Sequence, residues 1–196
     1  MSEILILYYS RHGHVAQMAS LIAKGVSRVS GALPVIRTVP ELGADPDIIP
    51  EEGHTYCTKD DLRRCDGLAL GSPTRFGNRA APLKAFIDTT SDIWVSGSMI
   101  DKPACVFSAS SSLHGGQETT LLSMMLPLLH HGMVLVGLPY SENGLLDTDS
   151  GGTPYGPTLV AGPNNDRDIT EIETKLCLAM GQRLASIAGG IASISD

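Results

Sequence analysis

The chain has 196 residues, a formal net charge of −7 and a pI of about 5.3. That length holds one α/β domain, residues 1–196, whose core needs no disulfide or metal. The absence of any lysine- or arginine-rich run argues against nucleic acid and anionic membrane as partners. No stretch approaches the roughly 18 apolar residues of a membrane span, and the opening strand, without a basic-then-apolar leader, predicts a cytoplasmic protein. The four cysteines, Cys57, Cys65, Cys105 and Cys177, form no C-x-x-C pair and no zinc spacing, so they read as small packed hydrophobes.

The first predicted strand covers residues 4–9. A helix over residues 15–29 follows, with apolar Val15, Met18, Ala19, Ile22 and Val26 on one 3.6-period face, stopped by Gly31. Residues 33–39 form strand two. The acid-, proline- and glycine-rich stretch 40–56 reads as a surface loop, and residues 60–64 as a short helical turn. Residues 67–71 are a buried strand. Residues 81–90 form a helix with Pro82 in its first turn, where a missing N–H costs little. Strand 104–108, helix 117–130, strand 133–136, a long loop over 138–168 and a last helix over 170–188 complete the chain.

Alternating strands and helices predict a parallel sheet covered on both faces. Five strands with no G-x-G-x-x-G and no P-loop sequence favour the flavodoxin-like order 2-1-3-4-5. Ligands of such doubly wound sheets bind beyond the carboxyl ends of the strands, where the strand order reverses. Three loops meet there: residues 10–14 (SRHGH), 72–78 (SPTRFGN) and 108–116 (SASSSLHGG). All three are rich in small hydroxyl residues and glycine. The first presents a hydroxyl and backbone N–H groups at a helix N-terminus, which suits a mononucleotide phosphate.

The chain resembles the WrbA family of flavodoxin-like NAD(P)H:quinone oxidoreductases. The resemblance rests on YYS-x-x-GH (residues 8–14), PTRFGN (73–78), W-x-SG (94–97), HGGQE (114–118), HHGM (130–133) and GGTPYG (151–156), in family order over nearly the whole length. It implies FMN as cofactor, NADH or NADPH as co-substrate, a small quinone reduced by two electrons, and a homotetramer. Residue by residue, it implies that Ser10, Arg11, His12, Gly13, His14 and Val15 hold the FMN phosphate. Pro73, Thr74, Arg75, Phe76 and Asn78 would meet the ribityl chain and ring edge. Ser110, Ser111, Ser112, Leu113, His114 and Gly115 would run along the ring's other polar edge. His130 resembles the histidine that reaches the flavin and is a candidate proton donor. His12 sits where the family often has an aromatic contacting the nicotinamide dinucleotide, and Trp94 where an indole flanks the substrate pocket. The expected reaction passes hydride from NAD(P)H through flavin N5 to the quinone by ping-pong turnover.

The same letters carry other readings. Arg75 also suits a solvated loop, Trp94 an ordinary core, and one of His130 and His131 a C-terminal helix cap. A strand followed by Arg11-His12-Gly13 resembles the opening of histidine phosphatases, but that reading leaves PTRFGN, HGGQE and GGTPYG unexplained. The histidines at 12, 14, 130 and 131 lack a suitably spaced carboxylate or cysteine for zinc. A non-enzymatic flavodoxin, acting as electron carrier or binding module, shares the fold but lacks HHGM and GGTPYG.

Overall fold

A computed structural model describes residues 1–45 and 53–195. The first strand, β1 (Ser2–Tyr8), places Ile4, Leu5, Ile6 and Leu7 at 0–1% exposure, so both of its faces are covered. Such continuous apolar runs belong to interior strands of parallel sheets. Around β1 stand β2 (Ala32–Thr38) and β3 (Gly67–Pro73), then β4 (Pro103–Ser110) and the two-residue β5 (Val134–Leu135), all parallel and in the order 2-1-3-4-5. The flavodoxin-like order expected from the sequence is therefore present.

The expected five strands become six. β5 pairs only with Pro103 and Ala104 at the start of β4. A further strand, β6 (Thr158–Val160), pairs with Ser108–Ser110 at its end. The stretch 138–168 is thus not loop throughout: it contains β6 and a short helix, α6 (Gly144–Asp147). Its glycines hid the strand because they serve close approach. A Cβ on Gly156 would lie 2.0 Å from the Val106 carbonyl oxygen, and one on Gly151 2.0 Å from that of Thr158. The GGTPYG segment therefore lies directly against backbone, where side chains do not fit.

Helices cover both faces. On one side α1 (His14–Val26) packs with α7 (Glu171–Ser195) over Ile4, Ile6 and Phe107. On the other, α2 (Lys59–Arg64), α3 (Ala81–Asp88), α4 (Ser91–Val95) and α5 (Gln117–His130) cover Leu5, Leu7, Leu70 and Val106. Helix α4 was not expected; the predicted helix 81–90 ends at Asp88 and a separate short helix carries Trp94. Of the predicted loop 40–56, residues 46–52 lie outside the described residues, and Tyr56 forms a parallel bridge with Thr38, the last residue of β2. Helices α1 and α5 both start at the carboxyl edge of the sheet, each behind a glycine with φ near +89° (Gly13 at 88°, Gly116 at 89°). That edge carries the candidate site.

Candidate functional site

The loop after β1 ends in an uncapped helix. Gly13 is the N-cap of α1 and has no side chain to offer, and no acidic residue stands in the first turn. The first helical bond runs from Gln17 N–H to the Gly13 carbonyl at 2.9 Å. The N–H groups of His14, Val15 and Ala16 are therefore left without intrahelical acceptors. Beside them the Ser10 Oγ is buried and has no hydrogen-bond partner. A buried hydroxyl without a partner is uncommon and costly, and next to a bare helix N-terminus it has the chemistry of an anion seat.

The second loop forms a tight turn. Arg75 and Asn78 exchange backbone hydrogen bonds at 2.7 and 3.0 Å around Phe76 and Gly77, whose φ values are 53° and 74°. Two successive positive φ values make a type I′ turn. Phenylalanine is a costly residue in that conformation, and its ring stands fully in solvent at the tip. The turn leans on the start of α5, where a Cβ on Gly116 would lie 2.8 Å from the Gly77 Cα. Thr74 ties this loop to the third. Its N–H donates to the Ala109 carbonyl at 2.9 Å, its hydroxyl donates to the Gly115 carbonyl at 3.3 Å, and it accepts from the Thr120 hydroxyl at 2.8 Å.

The three loops enclose a cleft with about 350 Å³ of empty space open to solvent. Ser10, Arg11, His12, His14, Val15, Pro73, Thr74, Arg75, Ser110 and Ser111 line it. Of the other sequence candidates, Gly13 caps the helix in the phosphate-type loop, and Phe76 and Asn78 belong to the turn. Ser112, Leu113, His114 and Gly115 form the outer part of the third loop and do not line the cleft. His130 is exposed at the far end of α5, about 20 Å along that 14-residue helix from Gln117 at about 1.5 Å per residue. It shares a separate depression with Trp94 and Leu126. The structure therefore does not bring His130 and Trp94 to the cleft of their own chain. The neighbouring His131 hydrogen-bonds the Thr90 hydroxyl at 3.0 Å. Burial, and then the nearby His130 charge, hold its pKa below the ordinary histidine value.

Sequence reasoning missed the wall supplied after β6. Ala161 and Asn165 line the cleft, and the Asn165 carbonyl lies 3.1 Å from His14 Nε2. The only local signal was the turn composition of Gly162-Pro163-Asn164-Asn165. Behind this wall sits Glu173, fully buried in the first turn of α7. Its Oε1 accepts from Ser150 Oγ at 2.6 Å, Gly151 N–H at 2.9 Å and Val160 N–H at 3.0 Å; its Oε2 accepts from Thr170 N–H at 2.8 Å. Burial alone would raise its pKa. The hydrogen bonds outweigh that and leave the carboxyl below its ordinary value. Glu173 thus ties the end of β6 and the backbone at Ser150 and Gly151 to the start of α7. Thr158 in turn donates to the Gln117 side chain, which donates to the Leu113 carbonyl at 2.8 Å and ties the third loop to the same scaffold.

Comparison with known proteins places the chain in a family and a fold. Residues 11–142 match the family described as NADPH-dependent FMN reductase. A protein of Geotalea daltonii named NAD(P)H dehydrogenase (quinone) is 42% identical, covering 95% of this chain and 96% of that one. One of Chromohalobacter salexigens with the same name is 41% identical over 98% of this chain and all of the other. Among solved structures, a flavodoxin, WrbA-like protein from Agrobacterium tumefaciens superposes with a TM-score of 0.72 at 22% identity, over 97% and 99% of the two chains. Flavodoxin 2 from Bacillus cereus gives 0.62 at 19% identity, over 95% and 99%. The chain has the flavodoxin fold and belongs to the NADPH-dependent FMN reductase family, among proteins named NAD(P)H dehydrogenase (quinone).

Proposed function

We propose that this protein is an FMN-dependent NAD(P)H:quinone oxidoreductase built on one flavodoxin-like domain. The observation that carries the reading is the buried, partnerless Ser10 hydroxyl beside the bare N-terminus of α1. That donor set fits a phosphate monoester: a hydroxyl and three N–H groups, with no acidic residue in the first turn of the helix to repel it. The residues that would hold FMN are Ser10, Arg11, His12, Gly13, His14 and Val15 at its phosphate. Pro73, Thr74, Arg75, Phe76 and Asn78 would hold the ribityl chain and ring edge, and the 110–115 loop the other polar edge. When bound, FMN supplies two-electron chemistry, taking hydride from NAD(P)H at N5 and delivering it to a quinone.

The protein's own work is binding, orientation and charge. Arg75 offers a planar, permanently charged donor at the cleft edge, able to stabilise negative charge on a bound ring. His12 stands exposed at the mouth of the cleft, where a nicotinamide ring or quinone enters. One open face serving both substrates implies ping-pong kinetics, the oxidised nucleotide leaving before the quinone enters. Initial-rate lines that stay parallel as both substrates are varied support this, and intersecting lines with a ternary complex exclude it. FMN, not FAD, is the flavin expected on extraction, because the Ser10 hydroxyl and the bare N-terminus of α1 suit the dianion of a terminal phosphate monoester rather than an internal pyrophosphate; FAD as the main extracted flavin would overturn that assignment.

His130 and Trp94 enter the reading through assembly. Leu122, Leu126 and Leu129 form an exposed row on α5 at helical spacing, and Trp94 and Val95 are exposed nearby on α4. Large apolar residues clustered in this way on a folded surface favour a protein contact. In the proposed homotetramer this face meets other subunits, and His130 and Trp94 serve a neighbour's cleft, His130 as the candidate proton donor to the quinol oxygen.

A further inference from the structure

The flavin cleft has a second room. Beyond Arg11 and Arg75, which line both, lies a broad open depression walled by Tyr9, Glu41, Arg79, Pro82 and Lys84. Its charge is opposite to that of the molecule. The whole chain carries −7, with 14 Lys and Arg against 21 Asp and Glu, yet four of those cations and one carboxylate, Glu41, surround this space.

Little of that positive charge is spent inside the protein. Among the described residues neither Arg75 nor Arg79 forms an ion pair; Arg75 Nη1 donates to the Thr74 carbonyl at 2.8 Å and Arg79 Nη1 to the Ser123 carbonyl. Arg79 Nε is buried without a partner. Arg11 lies 3.8 Å from the Glu41 carboxylate, a long and exposed pair, and Glu41 already accepts from Tyr9 OH at 2.7 Å. Lys84 pairs with Asp88 one turn along α3, with both side chains about half exposed. Exposed pairs of this kind contribute little and exchange readily for a stronger anion. The positive end of α3 also opens into the depression, with Ala80 at its N-cap and no acidic residue in its first turn.

We propose that this depression is the seat for the phosphates of the nicotinamide nucleotide. Arg79 and Lys84, which stand on the ridge between this depression and the one holding Trp94 and His130, would be its contacts, and Arg11 and Arg75 the boundary it shares with the flavin. The proposal rests on the NAD(P)H reading above. The ligand class follows from three features. The seat is continuous with the cleft, so its occupant extends from the cleft rather than binding apart. Cations spread across a broad open surface suit several phosphates rather than one. Arginine is the residue suited to bidentate phosphate contact, with lysine as a point charge beside it. Apolar Leu42 and Pro82 on the same wall give a flat purine ring a surface. Each cation gained by a 2′-phosphate favours NADPH over NADH, so Arg79 and Lys84 are also determinants of that choice.

The test uses FMN-loaded wild type, Lys84→Gln and Arg79→Gln/Lys84→Gln. Calorimetric titration with adenosine 2′,5′-bisphosphate reads the seat without turnover. The dissociation constant is expected to rise about tenfold in the double variant, as for loss of charge-assisted hydrogen bonds. The FMN dissociation constant should stay within about twofold. In steady state, KM for NADPH should rise by a similar factor with kcat preserved, and KM for NADH should rise less. Lys84→Gln, which leaves the Arg79 contact with Ser123 intact, should show an intermediate effect. Bisphosphate binding unchanged in both variants would overturn the proposal. If wild type binds the bisphosphate through these residues but does not oxidise NAD(P)H, the functional reading fails while the seat stands.

Discussion

Ser10 and Glu173 are two buried polar groups with opposite situations. Ser10 has a hydroxyl awaiting a partner; Glu173 has every oxygen engaged. Ser10→Ala should weaken FMN binding about tenfold, the worth of one hydrogen bond to a charged group. Ser10→Asp should abolish it, since a carboxylate would face the phosphate dianion. Fluorescence quenching of added FMN checks both, and unchanged affinity in Ser10→Asp would remove the phosphate from this loop. Glu173→Gln should cost about 3 kcal/mol at neutral pH, because an amide cannot accept at both oxygens and leaves a buried donor unpaired. The pH dependence has a fixed sign. The folded-state pKa lies below the ordinary 4.5, so the carboxylate's contribution is full above about pH 4.5 and is lost as the pH falls through the lower folded value. Denaturant unfolding of the two proteins should therefore converge in acid; a constant gap down to pH 3 would show that ionisation is not what Glu173 contributes. Ser10 was legible in the sequence because its setting is local: strand, loop and helix are contiguous letters. Asn165 was not, because it meets His14 across 151 residues, and no periodicity encodes such a meeting.

At the scale of elements, α1 and α7 cross through two glycines. A Cβ on Gly25 would lie 2.2 Å from the Leu178 carbonyl oxygen, and one on Gly181 2.1 Å from that of Ile22. Both obstacles are backbone, so a methyl group forces the helices apart. Gly181→Ala should destabilise the protein by about 1–3 kcal/mol despite alanine's better helix propensity. Thermal unfolding would read this as a fall in Tm, and a rise would show that the crossing has slack. Strands β1, β3 and β4 and helix α1 were legible because apolar runs and a 3.6-residue face survive any context. The outer edge of β4 was not. There β5 has two residues and β6 three, too short for a pattern. The intervening glycines read as turn signals, although Gly151 and Gly156 are there for close packing. The end of α3 at Asp88 was missed for a related reason, because Thr89 and Thr90 continue plausibly as helix until Thr90 instead receives His131.

For the whole molecule, the sheet gathers three loops at one edge and leaves the α5 leucine row and Trp94 facing outward elsewhere. If that row joins subunits, dilution should lower activity and mass together. Light scattering run beside a quinone-reduction assay checks this, and a fully active monomer would refute the assembly. Within such an assembly, His130→Ala should lower kcat about a hundredfold, the low end of a general acid's contribution; in the isolated protomer, whose own cleft lies about 20 Å along α5 from His130, FMN affinity should stay unchanged. The central claim is that flavin held in the 10–15, 73–78 and 110–115 loops mediates electron transfer from NAD(P)H to quinone. The most direct measurement is anaerobic mixing of FMN-loaded protein with NADPH alone, followed by a benzoquinone, with visible flavin absorbance recorded throughout. The account predicts bleaching before any quinone is present and full recovery on its addition, with both phases lost in Ser10→Asp. Absorbance that stays unchanged with NADPH alone, or bleached flavin that quinone does not reoxidise, would contradict it.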